Sequence, residues 1–93
     1  MANSLGEVFI LKTSDRAKGV PELLNKIGLN DYSAKQVALK ANYNSADPFP
    51  ASTHLDTLRS LVETLKSAGA NDLTLAERSG MGDTEHVLEE WVF

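Results

Sequence analysis

The sequence predicts an α/β fold: a single small β-α-β-α-β-α unit of two or three layers with a mainly parallel sheet. Three observations predict it. Short β-prone apolar runs recur at Glu7 to Lys12, Gln36 to Asn42 and Asp72 to Glu77. A segment with helical apolar spacing follows each run, and glycines or turn-forming residues separate them. Alternation of this kind favours right-handed crossovers between parallel strands, which opens the loop after every strand at one sheet edge.

The first run, bounded by Gly6 and by Ser14-Asp15, is continuous enough to predict a buried strand. Ala17, Val20, Leu23, Leu24 and Ile27 then recur at helical spacing, and Gly28 stands where a glycine closes a helix. Pro21 fits the first turn best, so the helix either begins near Val20 or starts at Asp15 and carries the proline inside. In the second run Val37, Leu39 and Ala41 share one side, with Ala38 and Lys40 on the other.

Pro48 and Pro50 around Phe49 forbid helix and predict a bent, partly extended loop. The next helix is expected to be capped by Ser52 or Thr53, with Asp56 completing an approximate capping box. Leu55, Leu58, Leu61, Val62, Leu65 and Ala68 form its apolar stripe, and Gly69 its terminator. The run "DLTLAE" predicts a third strand, followed by the turn "RSGMGDT" and a short helix through Val87, Leu88 and Trp91.

The chain of 93 residues, 42% hydrophobic and 24% charged, suits one soluble globular domain over residues 1–93. The apolar finish "EEWVF" and the two open edges of a three-stranded sheet further suggest a piece of a longer protein or a protomer completed by a partner, the plainer alternative being a C-terminal turn that folds back. A net charge of -4 without a basic cluster disfavours nucleic acid, which is bound through Lys and Arg on phosphates. Zero cysteines leave no covalent anchor for a cofactor and no thiolate metal site. No stretch approaches the length of a membrane span and no leader pattern opens the chain, so a cytoplasmic protein without membrane attachment is expected.

Ligands of open parallel sheets bind beyond the carboxyl ends of the strands. That edge would gather Thr13 and Ser14, then Lys40, Asn42 and Asn44, then Glu77, Ser79, Gly80 and Gly82. Helix starts near Thr53 and Thr84 would add backbone N–H groups, and with Lys40 they favour an anionic small molecule or cofactor. His54 at a helix start is the candidate for proton transfer.

Each assignment has a plainer alternative. The turn "SGMGDT" lacks the Lys-Ser/Thr ending of a phosphate loop, so its glycines could simply turn the chain before an Asp83 or Thr84 cap. Lys40 could be a strand-end lysine in water, and Asn42 and Asn44 could be turn formers. Glu77 with Arg78 could be a general base with an anchoring cation or a solvated strand end. His86 with Glu89 and Glu90 has the spacing of a helical metal site but no visible further ligands, so no metal is assigned.

The stretches "VALKANYN" and "STHLDTLRSLVETLKSAGANDLTLAERSG" resemble the N-terminal part of the family catalogued as domain of unknown function 362, over roughly residues 7 to 90. The family pattern of Lys-Pro-Asn, a Thr-His helix start, a Leu-Lys-x-Ala-Gly-Ala helix end and a Ser-Gly turn falls on Lys40 and Asn42, Thr53 and His54, Lys66 to Ala70, and Ser79 and Gly80. Ala41 and Leu55 stand where proline is usual, which loosens both turns. The resemblance implies a longer parent protein, in which an appended iron-sulfur domain is an expected partner, and it implies no settled activity. Two functions follow as expectations: an anion-binding sheet edge of a larger protein, or an interaction module docking an iron-sulfur or other partner domain.

Overall fold

Three helices and one pair of parallel strands form the chain, described by a computed structural model over residues 5–80 and 83–91, with side chains through residue 88. Helix α1 spans Arg16–Lys26, a 3-10 turn Leu29–Tyr32, strand β1 Gln36–Leu39, helix α2 Leu55–Ser67, strand β2 Asp72–Leu75 and helix α3 Thr84–Trp91. The strands pair in parallel, with Val37 opposite Leu73 and Leu39 opposite Leu75. These four residues are half-buried while Gln36, Ala38, Asp72 and Thr74 are exposed, so the helices cover one face of the sheet. The α/β unit with a parallel sheet is thus present, in its two-layer form.

The first predicted strand is absent. Residues 5–13 carry no regular structure, and Leu5 (90% exposed), Val8 (84%) and Ile10 (91%) stand in water. A β-prone run becomes a strand only where a neighbour completes its hydrogen bonds, and the sheet has no third member among the described residues. Leu11 and Thr13 instead lie beside Gly19, Val20 and Leu23 of α1 and Thr57 of α2. Thr13 and Ser14 are therefore removed from the strand-end edge and lead into α1.

The Asp15 side chain caps α1 by accepting from the Ala17 N–H at 3.0 Å. This decides between the two sequence alternatives: the helix starts at Asp15 and contains Pro21, which has no N–H to offer the Ala17 carbonyl. Gly28 (φ 97°) and Gly69 (φ 94°) take the left-handed conformations expected of helix terminators. At the end of α2 the Ala70 N–H bonds the Leu65 carbonyl and the Gly69 N–H bonds that of Lys66, the paired bonds of a Schellman motif.

The core is small. Tyr43, Leu58 and Val87 are buried together, and Leu39, Ala41, Ala46, Val62, Leu75 and Leu88 pack around them. Tyr43 belongs to no helix or strand, yet it joins α2, α3 and the sheet, and its hydroxyl donates to the Thr53 carbonyl at 3.0 Å. Among the described residues no helix is long and apolar enough to cross a membrane.

Candidate functional site at the carboxyl end of the sheet

Beyond Leu39 the chain turns into a loop whose base is closed by a reciprocal pair of bonds. The Asn42 N–H donates to Thr53 Oγ1 at 2.8 Å, and the Thr53 N–H donates to the Asn42 carbonyl at 2.9 Å. Inside the loop the Ser45 hydroxyl donates to Asp47 Oδ2 at 2.8 Å, and the Ser52 hydroxyl donates to the Asp47 carbonyl at 2.5 Å. The second strand-end loop is tied to the first. The Gly80 N–H donates to Asn44 Oδ1 at 2.7 Å, and the buried Ser79 hydroxyl donates to the Tyr43 carbonyl.

Between these loops lies a cleft of about 560 Å³ lined by Lys40, Asn42, Asn44, Ser45, Asp47, Ala51, Glu77 and Arg78. Its wall is an ion pair. Lys40 Nζ is 2.8 Å from Glu77 Oε1, with the lysine side chain 65% exposed and the glutamate side chain 1% exposed. Glu77 Oε1 also accepts from the Arg78 N–H at 3.0 Å, whereas buried Oε2 has no donor among the described residues. The Arg78 guanidinium makes no ion pair with any described residue.

The sequence candidates separate into three groups. Lys40, Asn42 and Asn44 line the cleft together. Thr53, Ser79 and Gly80 stand behind it, and their polar groups hold the loops: Thr53 N and Gly80 N are bonded as above, and Ser79 N donates to Thr84 Oγ1 at 2.8 Å. His54 does not line the cleft. Gly82 lies outside the described residues, as do Val92 and Phe93, the side chain of Trp91 and those of the Glu89 and Glu90 metal alternative. Among the described residues no group of three or more His, Cys, Asp or Glu is arranged to hold a metal ion.

His54, rather than Ser52 or Thr53, caps α2. Its Nδ1 accepts from the Asp56 N–H at 3.0 Å, which places the ring proton of the neutral imidazole on Nε2. Phe49 lies edge-on to the imidazole at 5.1 Å, and Arg16 of α1 sits 5.2 Å from the same phenyl ring. His54→Ala is expected to cost about 1 kcal/mol, the typical loss of an N-cap acceptor, and His54→Asn to restore most of it. Urea denaturation of the two variants measures this.

Glu77, a general base or a solvated strand end by sequence alone, is in phase with the inward-facing Leu73 and Leu75 by strand periodicity. A charge on the core phase of a strand is a signal for a buried, paired group.

A family model described as Domain of unknown function (DUF362) matches residues 37–92, from β1 through α3. The chain belongs to this family. The match contains both cleft-forming loops, and the exposed apolar segment and α1 precede it. No curated protein and no solved structure matches the chain. Within the domain of unknown function 362 segment lie all the cleft residues, together with the buried Tyr43 that supports them.

Proposed function

We propose that the cleft binds a small molecule carrying an acid group, at the carboxyl edge of the sheet and as part of a larger protein. The observation that supports this most is that Arg78, which makes no ion pair with a described residue, and the exposed Lys40 line the same strand-end cleft. Lys40 has three N–H donors, of which Glu77 Oε1 and the Ala41 carbonyl take two, so one remains for a ligand. Arg78 offers a planar fork suited to a carboxylate or phosphate. Asn42 and Asn44 orient the ligand, while Thr53, Ser79 and Gly80 fix the loops that carry them. The backbone N–H groups of Thr53, Ser79 and Gly80 are already bonded, so side chains supply the positive charge.

Titration with inorganic phosphate and with succinate, followed by backbone amide shifts, tests the proposal. Shifts confined to residues 40–47 and 77–80, lost in Arg78→Ala, are expected. Scattered shifts insensitive to that substitution would reject it.

A second function, a module that docks an iron-sulfur or other partner domain, rests on a separate observation: the exposed apolar side chains Leu5, Val8 and Ile10 ahead of a sheet with open edges. Sedimentation over a concentration series compares the chain with a Val8→Ser/Ile10→Ser variant. Identical monomeric behaviour, together with no binding to the appended domain of a longer form, would remove this alternative.

A further inference from the structure

Glu77 is the one buried carboxylate of the cleft, and it is only half satisfied. Oε1 receives the Lys40 ammonium and the Arg78 N–H, while Oε2 receives nothing among the described residues although the side chain is 1% exposed. A buried carboxylate oxygen without a donor is costly, so a ligand that brings one offsets that cost. We propose that Glu77 Oε2 accepts a hydrogen bond from a ligand hydroxyl, and that the ligand is a small hydroxy acid whose acid group lies on Arg78 and Lys40. This rests on the acid-binding function proposed above and narrows its ligand class.

Charge selects the hydroxyl over an amine. Lys40 Nζ already stands 2.8 Å from the same carboxylate, and a second ammonium on Oε2 would face that cation at short range. A neutral donor meets no such repulsion. Asp47 is the remaining acid in the cleft and is engaged by Ser45, and buried Tyr43, the nearest phenol, donates to Thr53. No other described carboxylate of the cleft offers a free buried acceptor.

Matched probes test this on the unmodified chain: malate against succinate, and glycolate against acetate, with inorganic phosphate as a third ligand. Each hydroxy acid is expected to bind about tenfold more tightly than its partner, the size of one hydrogen bond to a charged acceptor. The Arg78 amide, bonded to Glu77 Oε1, is expected to shift further with the hydroxy acids than with the others. In Glu77→Gln the preference should fall below about threefold, the neutral acceptor being the weaker one. Equal affinities within both pairs, with shifts still confined to the cleft, would overturn the hydroxyl assignment and leave acid binding intact. Failure of all five probes to move cleft resonances would overturn both.

Discussion

Replacing Tyr43 by alanine is expected to remove about 4 kcal/mol of folding stability, the usual cost of deleting a buried aromatic ring. A domain of this size holds on the order of 5–15 kcal/mol, so the variant is expected to be largely unfolded under mild denaturant. Tyr43 is 1% exposed and buried together with Leu58 and Val87. Tyr43→Phe keeps the ring and removes only the bond to the Thr53 carbonyl, for a loss near 1 kcal/mol at neutral pH.

The same residue gives the fold a limit on the alkaline side. Burial first, and the nearby Glu77 carboxylate second, push the Tyr43 hydroxyl above its ordinary 10.0. The unfolded chain therefore releases this proton at lower pH than the folded one. The contribution of Tyr43 is complete below about pH 10 and declines as pH rises through the folded-state value. Urea titrations at neutral pH and above pH 10 should show Tyr43→Phe losing less stability across that interval than the parent. An equal alkaline loss in both proteins would mean that another group sets the limit.

The second large effect is expected at the ion pair. Lys40→Met leaves the Glu77 carboxylate buried with a single backbone donor. The cost lies between the near-zero value of a surface pair and the 3–5 kcal/mol of a fully buried one, and about 2 kcal/mol is expected because Lys40 is itself exposed. Adding Glu77→Gln to Lys40→Met should recover more than half of that loss, since the uncompensated charge is gone. A double variant no more stable than Lys40→Met would show that the lysine contributes by packing its stem.

The elements with strong local signals were legible in the sequence. The stripe of α2 and the turn at Gly69 follow from periodicity and termination chemistry, and the parallel direction of β1 and β2 from the alternation of strands with helices, although the strands stop at Leu39 and Leu75, short of the expected Asn42 and Glu77. The first strand failed for the opposite reason: "VFIL" has the composition of a strand, but whether a strand forms is decided by a partner distant in sequence. The cap of α2 was misplaced by two or one positions because the common capping residues, Ser52 and Thr53, bond across the loop and leave the role to His54.

The site divides along the same line. Lys40, Asn42 and Asn44 share a cleft because they follow one strand end, so local order places them. Arg78 and Glu77 reach it through the neighbouring strand, and the pairing of Lys40 with Glu77 spans two segments that no local pattern connects. His54 is drawn away by the needs of its own helix.

The reciprocal bonds between Asn42 and Thr53 carry a consequence for how the chain responds to cutting. A protease that severs the exposed tip at Asp47 to Pro50 would leave both new ends anchored, one through Asn42 and Tyr43, the other through Thr53 and the helix behind it. The nicked protein should migrate as two pieces only after denaturation, and the base of the loop would outlast its own tip.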